Sequence, residues 1–154
     1  MLAKEIMTKE VFTVHENDTV EDAMKILLDK DVSGVPVVDD DYKVVGIVTE
    51  GDLIYKSKNF HFPLYYSIFD SYIFLENPSM IEEQLEKMTG YKISDVMTKN
   101  VYTAMEDATV NDLSTIMTNK DVNRIPIVDS ENKLLGIVAR KDIIKSYIEK
   151  AKNE

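Results

Sequence analysis

Residues 6–54 overlay residues 96–144 without a gap, with about 22 identities in 49 positions, so the chain has to fold as one unit made twice. The identities include Met7/Met97, Thr8/Thr98, Thr19/Thr109, Asp22/Asp112, Pro36/Pro126, Asp39/Asp129, Gly46/Gly136 and Asp52/Asp142. Near the end of each copy "GIVTEGDLI" (46–54) returns as "GIVARKDII" (136–144): Gly-Ile-Val and the Asp are kept while Thr49 becomes Ala139.

Each copy reads as the same series of elements. A short extended piece ("EVFTV", "NVYTA") leads to Thr-Val-x-Asp, where Thr19 or Thr109 caps a helix with an acid at its third turn-forming position. Val20, Ala23, Met24 and Leu27 then fall on one helical face, and the spacing predicts a helix to about Lys30. "GVPVVDDDYKVVGIVT" and "RIPIVDSENKLLGIVA" are each two β-branched runs about a polar turn, which predicts a hairpin. A last helix starts near Gly51 or Lys141. The unit is therefore β-α-β-β-α, twice, an α+β fold. A three-stranded sheet this small needs its open face covered, and two copies do this most economically about a pseudo-twofold axis.

At 154 residues the chain has the size of one typical domain or two small cores sharing an interface. The organisation expected is a first repeat over 1–57, an insert over 58–90 and a second repeat over 91–154. A net charge of -10 opposes a phosphate backbone, so nucleic acid is not expected as a partner. With no cysteine there are no disulfides, thiolate nucleophiles or Cys-type metal sites. "MLAKEIMTKEVF" carries no apolar run like a signal peptide's core, and the most apolar stretch, about 60–75, falls short of the roughly 18 apolar residues a spanning helix needs. These features predict a cytoplasmic protein without membrane insertion.

"TEGD" at 49–52 has two readings. As a capping box, the Thr hydroxyl and the acid satisfy the orphan N–H groups that open a helix. As a binding element, the helix start and the hydroxyl suit a phosphate, and a carboxylate one turn in can accept from both hydroxyls of a ribose. In the second copy Ala139 cannot cap, yet Asp142 stays, which tilts the balance slightly towards a ligand.

The runs "T-V-x-D/E-A", "h-P-V-V-D" and "G-h-V-T-x-x-D", where h is apolar, each with a counterpart in the second copy, resemble the tandem cystathionine-β-synthase-type (CBS) domain pair, or Bateman module, over most of the chain. The resemblance implies a regulatory, non-enzymatic module that binds AMP, ADP, ATP or S-adenosylmethionine between its repeats, with magnesium arriving alongside ATP if at all, and no resident cofactor or metal. It implies a homodimer and an unlinked enzyme or transporter as partner. Carried over by position, one site takes Thr49 and Asp52 with Thr103, Arg124, Ile125 and Pro126; the mirrored site takes Asp142 and Arg140 with Thr13, Gly34, Val35 and Pro36. The first set joins Thr, Asp and Arg, and is the one expected to favour phosphorylated ligands.

Between the copies, seven of thirteen aromatic residues fall between Phe60 and Phe74. Tyr65, Ile68, Phe69 and Tyr72 follow helical spacing, which predicts an aromatic helix or turn; Asn77-Pro78 then opens a helix to about Met88. Such an insert either covers an end of its own module or presents a docking surface, and the latter supplies the rival function: an interaction or dimerisation module that binds no ligand. His15 and His61 read as surface or packing residues, and "VDDDY" at 38–42 as a turn rather than a metal site, since its counterpart is "VDSEN".

Overall fold

The computed structural model describes residues 1–55, 65–68, 71–74 and 91–153. In the first copy the elements are α1 (Ala3–Ile6), β1 (Val14–His15), α2 (Val20–Asp29), β2 (Gly34–Val38), β3 (Val44–Thr49) and α3 (Glu50–Tyr55). β4 (Tyr65–Ile68) and β5 (Ser71–Phe74) follow. The second copy repeats the series as α4 (Ile93–Val96), β6 (Ala104–Met105), α5 (Val110–Asn119), β7 (Arg124–Val128), β8 (Leu134–Ala139) and α6 (Arg140–Asn153). Each copy thus carries the expected β-α-β-β-α unit, preceded by one helical turn, and its sheet has three strands in the order β1-β2-β3 or β6-β7-β8. β6 runs parallel to β7, as a strand-helix-strand crossover requires, and β7 pairs antiparallel with β8 across the hairpin.

Local chemistry sets the element ends. The Thr19 hydroxyl accepts from the Asp22 N–H (3.2 Å) while the Asp22 carboxylate accepts from the Thr19 N–H (3.0 Å). Thr109 and Asp112 repeat both bonds at 3.1 and 3.0 Å. These reciprocal caps start α2 and α5 at the expected residue. At the far ends Asp31 and Asp121 adopt left-handed backbone (φ 51°), so that Val32 and Val122 donate back to Leu27 and Met117 and close the helices. In the hairpin turns the Asp39 carboxylate accepts from the N–H groups of Asp41 and Lys43, both at 2.9 Å, and Asp129 does the same for Glu131 and Lys133. "VDDDY" is thus an Asx-type turn with its leading acid occupied by backbone.

The compact units do not coincide with the sequence copies. One contains Met1–Val11, Val38–Val45 and Asn100–Glu154; the other contains Phe12–Val37 and Gly46–Lys99. In the first unit α1 from the first copy lies in the second copy's core: Ala3 is fully buried with Val110, Leu113, Met117, Ile125, Ile127, Val138 and Ile143. Its N–H donates to Ala108 at 2.7 Å. In the second unit α4 does the reciprocal thing. The Ile93 N–H donates to Asp18 at 2.9 Å, and the Ile93 side chain is fully buried.

The kept glycines belong to this exchange. Thr8 pairs with Ile137 through two backbone bonds (2.9 and 3.0 Å), and Thr98 pairs with Ile47 the same way (2.8 and 3.0 Å). A Cβ on Gly136 would lie 2.5 Å from the Met7 sulfur and 3.0 Å from the Thr8 carbonyl; on Gly46 it would lie 2.5 Å from the Met97 sulfur and 3.1 Å from the Thr98 carbonyl. Met-Thr and Gly-Ile are therefore the two sides of one contact, which explains why all four residues recur.

The described part of the insert is not helical, contrary to expectation. β4 and β5 pair antiparallel, with Tyr65 opposite Phe74 and Ile68 opposite Ser71. Tyr, Ile and Phe favour extended backbone, and a four-residue run is too short for helical spacing to prevail over that preference. The helix expected from Asn77-Pro78 lies outside the described residues, as does His61.

Candidate functional site

Each unit assembles one half-site at the end of its sheet where a hairpin strand passes into the copy's last helix. In the second unit, β2 begins with Gly34, Val35 and Pro36, all buried, and β3 ends at Thr49. The Glu50 N–H donates to the Ser33 carbonyl (3.1 Å), which fastens the start of α3 beside the start of β2. Asp52 follows on the first turn of α3 and is only 7% exposed. Thr13 lies just before β1 and is half-buried.

The Asp52 carboxylate is well supplied with donors. Its Oδ2 accepts from the Thr49 N–H (3.0 Å) and the Thr49 hydroxyl (3.1 Å), and its Oδ1 accepts from the Thr98 hydroxyl (2.8 Å). The Thr49 hydroxyl also accepts from the Asp52 N–H (3.2 Å), so the capping box forms in full. Charge-assisted bonds of this kind offset the cost of burying the carboxylate.

The other half-site lies in the first unit and differs in each of these respects. Arg124 at the start of β7 is opposite Ala139 at the end of β8; Ile125 and Pro126 follow, opposite Val138 and Ile137, and both are buried. The Arg140 N–H donates to the Asn123 carbonyl (3.1 Å). Thr103 directly precedes β6. Asp142 is half-buried, and among the described residues its carboxylate accepts one hydrogen bond, from the Ala139 N–H to Oδ2 at 2.8 Å. Its Oδ1 has no protein donor among them.

The charges diverge as well. Glu50 and Asp52 give the Asp52 half-site a formal charge of -2, whereas Arg124, Arg140, Lys141 and Asp142 give the other +2. Arg140 and Lys141 open α6, where the helix dipole disfavours cations. Arg140 is exposed and reaches Asp121 at 3.8 Å, a contact too long and too wet to fix it.

The structure therefore brings together Arg124, Ile125, Pro126, Arg140 and Asp142 in one unit, and Gly34, Val35, Pro36, Thr49 and Asp52 in the other. The two sets implied by the sequence resemblance combine them differently, each taking its carboxylate from one unit and its strand from the other. Thr98 and Thr8 did not figure among the candidates. The identity of the Met-Thr pairs was the signal that could have found them.

Among the described residues no three His, Cys, Asp or Glu side chains are grouped to hold a metal ion, and no helix is long and apolar enough to cross a membrane. The family model of the CBS domain matches residues 3–59 and 93–149. The chain is similar to the protein MJ1426 of Methanocaldococcus jannaschii, 34% identical over 96% of this chain and 92% of that one. Among solved structures, the CBS-pair protein CBSX2 of Arabidopsis thaliana superposes with a TM-score of 0.81 over 99% of this chain and 98% of its own, at 22% identity. The CBS domain pair of protein MJ0100, solved with 5′-methylthioadenosine and S-adenosyl-L-methionine, superposes with a TM-score of 0.69 over 97% and 98% of the two chains, at 27% identity.

Proposed function

As the chain belongs to the CBS domain family, we propose that it is a regulatory, non-catalytic module that binds an adenosine-containing ligand on Asp142 and passes the binding event to a partner protein. The observation that carries this reading is the open Oδ1 of Asp142 on a helix start that also carries Arg140 and Lys141, with Arg124 opposite Ala139 on the neighbouring strand. A carboxylate with a free oxygen accepts the two hydroxyls of a ribose, and the neighbouring cations suit a phosphate. The ligands of the MJ0100 structure are both adenosine derivatives with a ribose diol, which supports the ligand class. The phosphate end narrows it to AMP, ADP or ATP ahead of S-adenosylmethionine, whose sulfonium would meet like charge.

Sequence alone favours Asp52 because Thr, Asp and Arg occur in its set. The hydrogen bonds favour Asp142, whose Oδ1 accepts from no described residue, whereas both oxygens of Asp52 are engaged. Signalling then requires that the ligand bind one arrangement of the module more tightly than another; the shift cannot exceed that difference in affinity.

A thermal-shift series with AMP, ADP, ATP and S-adenosylmethionine, with and without magnesium, tests the reading on the wild type and on Asp142→Ala. A ligand at about 100 times its Kd stabilises by about 2.7 kcal/mol, and the rise should vanish in Asp142→Ala. If none of the four raises the wild-type midpoint after removal of copurified nucleotide, the module binds no adenosine ligand and the interaction function takes its place.

A further inference from the structure

The last helix, α6, is basic in an acidic chain. Its Arg140–Asn153 span holds five basic and two acidic residues, a net +3 where the whole chain carries -10. One side of the helix is already packed, with Ile143 and Ser146 buried. Another side is bare. Ile144, Tyr147 and Ile148 are 58%, 51% and 53% exposed, and at i, i+3 and i+4 they form one apolar stripe. Helical spacing sets Lys141, Lys145 and Lys152, all exposed, along one border of it. We infer that this face of α6 is where the module meets the protein it regulates, and that the occupant is an acidic amphipathic helix of that partner.

Charge and spacing choose the occupant. An apolar stripe at i, i+3 and i+4 matches a helix that presents its own apolar residues at the same spacing, and the lysine border matches carboxylates flanking them. A second copy of the chain fits less well. Two α6 helices repel each other, and the acidic helix α2 has one exposed large apolar residue, Leu28, to set against three. An anionic membrane fits less well too, because the charge of -10 opposes it and the buried Ile143 and Ser146 keep α6 from lying in a bilayer surface.

The same helix connects this face to the ligand site, and here the inference rests on the adenosine-binding reading above. Asp142 is on the first turn of α6, and Ile148 lies about 9 Å further along the helix axis. The Tyr147 and Ser114 hydroxyls share a hydrogen bond (3.1 Å), which ties the stripe to α5. A ligand on Asp142 acts at the helix start, and an intact helix carries a displacement there to the stripe. The coupling is reciprocal: nucleotide and partner helix change each other's affinity by the same factor.

Fluorescence anisotropy on the full chain tests the face. The probe is a labelled synthetic helix with Leu at helical spacing and Glu elsewhere; its control has Lys in place of Glu. The wild type should bind the acidic helix without nucleotide, more weakly as salt is raised, and ignore the basic one. The double variant Ile144→Ser, Ile148→Ser should bind about tenfold more weakly, and Lys145→Glu with Lys152→Glu should weaken it too. These side chains are exposed, so the variants should keep the wild-type Tm. No binding by the wild type, equal binding of the basic helix, or unchanged affinity in the double Ile variant overturns the inference. So does sedimentation showing a wild-type dimer that the double Ile variant dissociates, or binding of the wild type to anionic phosphatidylserine vesicles in preference to the helix. AMP should change the helix's affinity in the wild type and not in Asp142→Ala; AMP that binds the wild type yet leaves that affinity unchanged overturns it as well. Should the acidic helix bind while no adenosine ligand does, the docking face stands and the adenosine reading falls.

Discussion

The two copies share about 22 of 49 aligned residues and the same elements, yet their equivalent carboxylates are in opposite states. Asp52 is buried and accepts from Thr49 and Thr98; Asp142 is half-buried and among the described residues accepts from Ala139 alone. One scaffold occurs twice, and the hydroxyls of Thr49 and Thr98 engage one carboxylate while the equivalent carboxylate accepts from a backbone N–H among the described residues. The lesson is that a shared motif fixes where a side chain sits, while its neighbours decide what it can do.

The largest effect that can break this comparison is on stability. Removing Asp52 deletes the acceptor of charge-assisted bonds from two half-buried hydroxyls and an N–H, each such bond contributing about 1.5–3 kcal/mol. Asp52→Ala should cost about 3 kcal/mol in denaturant unfolding, whereas Asp142→Ala, losing one bond near solvent, should cost about 1 kcal/mol or less. Equal losses would mean that the two carboxylates are equally structural, and the division of roles would fail.

An intermediate effect tests where the copies should agree. Gly46→Ala and Gly136→Ala each place a Cβ at 2.5 Å from a methionine sulfur and within about 3.1 Å of a threonine carbonyl. The sulfur can move; the carbonyl is held in the backbone pair with Ile47 or Ile137. Overpacking of this kind costs about 1–3 kcal/mol, and the two variants should fall within about 0.5 kcal/mol of each other. Two variants that differ widely in stability would show that the arm contacts are not equivalent.

How much of this could be read from sequence depends on the range of the interaction. The caps at Thr19 and Thr109, the helices behind them and the Asp39 and Asp129 turns depend on residues three or four apart, and local pattern determines them. The exchange of arms does not. Met7-Thr8 and Met97-Thr98 are identical, and so are Gly46-Ile47 and Gly136-Ile137, so no residue type distinguishes pairing within a copy from pairing across copies. The same degeneracy hid the Thr98 bond, 46 residues from Asp52 in sequence. In the insert, Tyr65, Ile68 and Tyr72 fit a helical spacing, and the hairpin emerges from strand pairing that local spacing does not report.

The smallest effect lies where the copies are most alike, in the reciprocal caps. The Asp22 carboxyl is held below the ordinary carboxylate range, first by the Thr19 N–H and then by the Thr19 hydroxyl; Asp112 is lowered by the Thr109 hydroxyl and then the N–H. A depressed folded-state value means that the ionised form is the one the fold favours. Each cap therefore contributes stability that is fully present above the unfolded value near 3.8 and is lost as pH falls through the lower folded value. Because both carboxylates are exposed, solvent screens the gain, and it should be smaller than either effect above. The double variant Asp22→Asn, Asp112→Asn should lower the Tm at pH 7, and its difference from wild type should shrink steadily as the pH is taken below 3.8. A difference that stays constant down to pH 2 would show that the two acids act through side-chain shape rather than charge.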